Sequence, residues 1–402
     1  MPDQVGVPER CTVLVVGGGV AGLATAIEAR RLGLDVVVAE ARDRPVERYG
    51  ETLAPGGAML AGRLGLGDLS ADGHLACPGT LVDWGRTVAG GADRSGANDF
   101  LLDPYGPSWH LDRAAFESAL RATAVASGAI VVPGVRGRLH PEPGTHHHRL
   151  LLQSTAGERS VSADWLVDAS GPSASIARRL GAVRRVGDRL VALLRIGPAA
   201  PSSSSPGRST HRTLIEAVPD GWWYLSRLPA DRMAVVLVTD PTSVPGLVSG
   251  GWSGWGRALA ATRLLSPCLP EDLIGGPFPQ AQPGEGSDDN GDVRWRVRSI
   301  AVASLERAAG RRWLAVGDAA AELDPVCGRG LYEALLDARD AARVIAAELD
   351  RGRDGVEQPS RIYADRVRQR AAAHRAERHG WYALERRWPD APFWRARLSA
   401  PG

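Results

Sequence analysis

The 402-residue chain contains no lysine: all 48 of its basic residues are arginine. With no side-chain amine, Schiff-base chemistry and amine nucleophiles are excluded. Neither sign of charge is in excess. The 46 acidic residues leave a net charge of +2, which makes no electrostatic case for nucleic acid or an anionic membrane surface. Cysteine is scarce: Cys11, Cys77, Cys268 and Cys327 lie far apart with no C-x-x-C pair, so neither a disulfide framework nor a metal knuckle is suggested, and no metal site is expected. That usage fits a reducing cytoplasm. No apolar run approaches the roughly eighteen residues of a membrane helix. The opening MPDQVGVPERC has no basic segment followed by an apolar one, so a cytoplasmic location is expected. Apolar content of 44% and charged content of 23% are ordinary for a globular chain, and the length suggests about two to three domains.

What is present is concentrated in two glycine-rich turns. Thr12–Val16 reads as a buried strand, Gly17-x-Gly19-x-x-Gly22 as a turn, Ala21–Arg31 as a helix of small residues, and Val36–Ala39 as the next strand, closed by Glu40. Gly17 allows the tight turn, Gly19 lets backbone approach a pyrophosphate, and Gly22 permits close helix–strand packing. The helix N-terminus attracts the anion, and Glu40 is placed to accept from ribose hydroxyls. An acid there disfavours a 2′-phosphate, so the expected dinucleotide is not NADP. The second turn follows the strand Trp313–Val316, where Gly317-Asp318 leads to Asp324-Pro325-x-x-Gly328-x-Gly330 and a helix. Pro325 suits a helix start, and the bare N–H groups at Gly328 and Gly330 suit an anionic ring system. Between them, Trp165–Val167 ends in Asp168-Ala-Ser-Gly171, where the serines read as caps.

These three segments in this order resemble the FAD-dependent monooxygenases with one Rossmann unit, typified by para-hydroxybenzoate hydroxylase. The resemblance implies that Asp318 binds the ribityl side of FAD while Pro325, Gly328 and Gly330 line its ring, so the two glycine turns hold opposite ends of one cofactor. Arg48-Tyr-Gly50-Glu51-Thr-Leu-x-Pro55, Trp109-His110-Leu-Asp-Arg113-Ala-Ala-Phe116 and the tail Arg386-Arg-Trp388-Pro-Asp-x-Pro392-Phe-Trp394 are similar to segments of the halogenase-like branch. That branch includes flavoproteins that hydroxylate a protein-borne tryptophan during tryptophylquinone assembly. By this resemblance Arg48, Arg113 and Val135 also join the FAD site. Halogenases carry W-x-W-x-I-P and a relay lysine. Here the stretch is Trp222-Trp223-Tyr224-Leu-Ser-Arg-Leu-Pro229, with no lysine, which disfavours halogenation.

The fold class implied is α/β (α+β overall): a Rossmann-type FAD-binding domain with an inserted antiparallel β-sheet substrate domain and a C-terminal helical region. The expected pieces are 1–84, 103–182 and 296–345 for FAD, 85–102 and 183–295 for substrate, and 346–402 for the helical region. Residues 135–139, 150–153 and 158–162 read as a meander. The stretches 197–211, 250–256 and 277–292 read as loops, and Arg361, Arg366, Arg368 and Arg370 as a solvated face. His146–His148 sit too close together to converge on one metal. Substrate-side candidates are Glu51, which reads equally as a helix cap, His110, as base or as structural histidine, and the pair Trp222 and Tyr224, expected to face the flavin while Trp223 and Leu225 enter the core.

The resemblance implies an FAD monooxygenase that transfers oxygen from O2, through a flavin hydroperoxide, to an electron-rich aromatic ring such as a free or peptide-borne indole. NAD(P)H or a separate flavin reductase would be the electron source. A reductase or dehydrogenase of C=C or C–N bonds, and a non-enzymatic escort protein on the same fold, remain as alternatives.

Overall fold

The computed structural model describes residues 6–44, 50–85, 96–100, 103–140, 147–155, 157–199, 211–249, 252–269, 294–350 and 358–398. The chain divides into two compact units, one of residues 1–68, 113–187 and 302–374, the other of 69–112, 188–301 and 375–402. The C-terminal region does not stand alone. It contributes the first part of the long helix Gln358–Leu384 to one unit and everything after residue 374 to the other.

The first unit is built on a sheet ordered 309–310, 313–315, 157–168, 10–16, 36–39 and 130–132. From 313–315 onward the pairs along this path are parallel. The central strands are unbroken apolar runs (Val13, Leu14 and Val15 are fully buried), as a sheet covered on both faces requires. The helix Val20–Arg31 buries Gly22, Ala24, Ala26 and Ala29, small residues that permit close approach. The expected meander is present but longer. Strands Arg136–His140 and His148–Ser154 are antiparallel, while 158–162 is the first half of a single 12-residue strand, Gly157–Asp168. That strand stays continuous because its second half pairs in parallel with Arg10–Val16.

The second unit holds a sheet in which 191–198, 232–239, 221–228, 213–218, 79–83 and 96–99 lie in that order, with 213–218 paired in parallel with 79–83. One face packs Trp223, Leu225, Val235 and Leu237 against Trp255 and Leu259. Residues 253–256, expected to be loop, open a helix, Ser253–Ala260. It forms because Trp255 is driven into this core, 5.0 Å from Trp223, while a side chain at Gly254 would meet the Gly246 carbonyl oxygen at 2.4 Å. The C-terminal segment docks by directed bonds as well as burial: the Trp394 indole donates to the Val218 carbonyl at 2.8 Å, and buried Arg397 donates to Asp240 at 2.9 Å. Residues 200–210 of the expected loop 197–211, the whole of the expected loop 277–292, and Arg48 lie outside the described residues.

Candidate cofactor-binding site

The parallel sheet fixes the site by register. Val16 lies opposite Asp168, and Asp168 opposite Ala315, so the turns at 17–22, 168–171 and 317–319 leave the same edge. The backbone ties them there, with Ala169 N–H donating to the Val16 carbonyl at 2.9 Å and Val316 N–H to the Asp168 carbonyl at 3.0 Å. The carboxyl ends of the strands in an open α/β sheet are where such folds bind nucleotides.

Two of the three motif glycines are demanded by the protein itself. Gly17 has φ +112°, and a Cβ on it would stand 2.1 Å from the Ala169 carbonyl oxygen; one on Gly22 would stand 1.9 Å from that of Gly17. Gly19 is the N-cap of Val20–Arg31 and has no side chain to cap it, which leaves the positive helix end for an external anion. Glu40, 12% exposed at its side chain, accepts the Gly18 N–H at 2.5 Å and the Arg42 N–H at 2.8 Å. Val135 donates its N–H to the Glu40 carbonyl at 2.9 Å, so it braces the strand end that presents the acid.

The late turn is built differently. Gly317, Ala319 and Ala320 are buried, and Asp318 between them is exposed, so the turn presents one carboxylate outward. Gly317 has φ +58°, and a Cβ there would press on Ala21 at 2.9 Å. The late turn therefore touches the glycine-turn helix directly. Pro325 opens a short 3-10 turn, Pro325–Cys327, capped by Asp324, whose carboxylate accepts the Val326 N–H at 3.0 Å. The long helix starts only at Gly330. Gly328 needs its glycine for φ +61°. Gly330 has no positive φ, and a side chain on it would meet no protein atom within 4 Å. Packing in the protein does not explain that glycine, and the open space beside it has room for a flat group. The glycine cradle, the uncapped helix end and the outward Asp318 fit FAD.

Arg113 donates to the Gly50 carbonyl at 2.7 Å and pairs with Glu117 at 2.7 Å, anchoring the end of the Arg48–Gly50 stretch to the helix Arg113–Ala126. Asp168 is saturated. It accepts from the Ser170 N–H and hydroxyl and from the Ile176 and Ala177 N–H groups, so the Asp168–Gly171 segment is a cap made by an aspartate with serine help. His147 and His148 diverge, to Asp164 and to the Arg311 carbonyl.

The substrate-side candidates Trp222, His110 and Glu51 are all buried. Trp222 is 1% exposed, and its indole donates to the Tyr382 hydroxyl at 3.1 Å beside Trp84. It is core against the C-terminal segment, not a wall open to a ligand; Tyr224, half-buried, lies 6.1 Å from it. His110 is fully buried, its Nε2 2.9 Å from Thr213 Oγ1, and burial pushes it down to about 4. Glu51 is 2% exposed.

Sequence reading missed Asp337. It is 4% exposed on the apolar side of the helix Gly330–Asp350, among Ala334, Ala338 and Ala341. An acid at a core position of a helix was the available signal. Arg370 was misread as solvated: Arg361, Arg366 and Arg368 are exposed, but Arg370 turns inward to Asp337 and Glu333.

The FAD binding domain family matches residues 10–244. The chain belongs to that family. It is an FAD-dependent oxidoreductase, 25% identical over 394 residues to the FAD-dependent oxidoreductase LodB of Marinomonas mediterranea, covering 97% of each chain. It is 26% identical over 365 residues to the flavin-dependent halogenase armH5 of Armillaria mellea, covering 87% of this chain and 66% of that one. Two solved structures share the fold. The flavin-dependent halogenase CmlS has a TM-score of 0.78 at 23% identity, over 98% of this chain and 68% of its own. The peptidyl tryptophan dihydroxylase QhpG has a TM-score of 0.71 at 24% identity, over 98% and 79%. Among the described residues no helix is long and apolar enough to cross a membrane.

Proposed function

We propose that this flavoenzyme is a monooxygenase that hydroxylates an electron-rich aromatic ring, an indole carried free or within a peptide. The observation that carries oxygen transfer over halogen transfer is the complete absence of lysine, the residue that relays halogen in the halogenases this chain resembles. Arginine does not replace it, because its guanidinium stays protonated and delocalised. Support for an indole comes from QhpG, whose name describes a peptidyl tryptophan dihydroxylase.

Bound reduced FAD would supply the chemistry, activating O2 so that one oxygen atom enters the ring and the other leaves as water. The chain's own residues bind and orient. The helix end at Gly19 takes the pyrophosphate, Glu40 the ribose, Asp318 the ribityl hydroxyls, and the backbone at Pro325, Gly328 and Gly330 the ring; Arg113 and Val135 hold the segments around them. Tyr224 offers the substrate an aromatic face. Electrons come from NAD(P)H directly or through a separate flavin reductase.

The test is oxygen and NAD(P)H consumption by flavin-loaded protein, with and without a reductase, across indoles and tryptophan-containing peptides. Substrate-dependent oxygen uptake with a hydroxylated product is expected. Turnover that gives a desaturated product and needs no oxygen atom would replace this reading with a dehydrogenase.

A further inference from the structure

A cavity of about 20 Å³ lies under the Gly317 turn, lined by Gly317, Asp318, Glu333, Asp337, Arg370 and His374. It is room for about one water, and its charged walls form a chain of contacts. Asp337 Oδ2 accepts the Gly317 N–H at 3.0 Å, and Oδ1 pairs with Arg370. Arg370 also reaches Glu333 at 3.5 Å, and Glu333 accepts from or pairs with His374 Nε2 at 3.2 Å. A second clamp lies about two helical turns away, where the Tyr363 hydroxyl donates to the Ala315 carbonyl at 2.7 Å. Tyr363 and Arg370 both belong to the helix Gln358–Leu384.

We propose that Asp337 is a positioning residue for FAD: it fixes the peptide of Gly317, the residue before Asp318, and Arg370 fixes Asp337. The demand is geometric. Gly317 sits at positive φ against Ala21, and rotation of its peptide re-aims the one exposed carboxylate of the turn. A buried N–H without an acceptor would favour that rotation. The inference rests on FAD binding and not on which substrate is oxidised.

The groups facing Asp337 are the Gly317 N–H, Arg370, Glu333, Asp340 and Tyr363, with His374 on the same cavity. Burial pushes Asp337 up more than Arg370 and the Gly317 N–H pull it down, to about 7. Burial also pushes Glu333 up, but His374, Arg370 and Arg329 outweigh it and hold that carboxyl below its usual range. The ionised form of Asp337 is the better acceptor, so FAD should bind more tightly as pH rises through neutrality.

The experiment titrates full-length apoprotein with FAD by flavin fluorescence, alongside thermal unfolding of each apoprotein. For the parent, Kd should fall about threefold to tenfold between about pH 6 and about pH 8. Asp337→Asn keeps an acceptor and loses the charge, so its Kd should show no such slope. Asp337→Leu should weaken binding about tenfold or more at both pH values. Arg370→Gln should move the midpoint of the slope to higher pH. A purely structural Asp337 would lower the unfolding temperature of both its variants and leave the slope in Asp337→Asn intact; that result overturns the proposal, as does FAD binding by Asp337→Leu within about twofold of the parent. If Asp337→Leu does not fold, the slope in Asp337→Asn decides.

Discussion

Glu40 closes the second strand onto the glycine turn: its Oε2 accepts the Gly18 N–H at 2.5 Å while Oε1 accepts the Arg42 N–H at 2.8 Å. Two backbone donors hold the carboxylate and leave lone pairs for a sugar hydroxyl. Glu40→Ala should therefore both loosen the turn and remove the ribose acceptor, weakening FAD binding about tenfold to a hundredfold in a fluorescence titration. Unchanged affinity would show that the sugar is held elsewhere.

Gly19 is the motif glycine at the uncapped start of the helix Val20–Arg31. Gly19→Val should abolish retention of FAD through purification while far-UV circular dichroism stays that of the parent. A folded variant with full flavin absorbance would contradict the assignment of this turn.

Asp318 is the exposed member of an otherwise buried turn. Asp318→Ala should weaken FAD binding by about 1.5–3 kcal/mol, the range for hydrogen bonds to a charged group. Isothermal titration checks this, and equal affinity in variant and parent would give the late turn another purpose.

His110 links pH to stability. Its folded value of about 4 lies below the ordinary 6.5 because burial penalises the charged form. The unfolded state then binds the extra proton first. The contribution of the neutral histidine is complete above pH 6.5 and is lost as pH falls through the window down to about 4, amounting to about 3 kcal/mol in total. Urea midpoints of His110→Asn should fall less steeply over that window than those of the parent. Parallel curves would remove His110 from the account.

Trp222 is read as packing. Trp222→Ala should cost about 3–5 kcal/mol of stability, seen as a lower urea midpoint, with FAD affinity close to that of the parent. A stable variant with altered flavin absorbance would restore it to the site.

The cofactor half of the molecule was legible because backbone rules write it into sequence. Gly17 and Gly22 are forced by contacts of about 2 Å that exclude any side chain, and Glu40 follows a strand of four buried residues. What escaped reading depends on partners distant in the chain. Trp222 and Trp223 alternate correctly, yet both faces of their strand are buried, so period two could not say which face meets a ligand. Asp337 and Arg370 are 33 positions apart on two helices, and their charges look like surface until the helices pack. Residues 253–256 looked like loop because two glycines flank the tryptophan that in fact anchors a helix.

The most direct test of the central claim supplies flavin-loaded protein with reductant, isotope-labelled O2, excess bromide and an indole that elicits oxygen uptake, and reads the products by mass spectrometry. The account predicts a hydroxylated product carrying the label from O2 and no bromine. An enzyme-dependent brominated product, or an oxygen atom drawn from water, would contradict it.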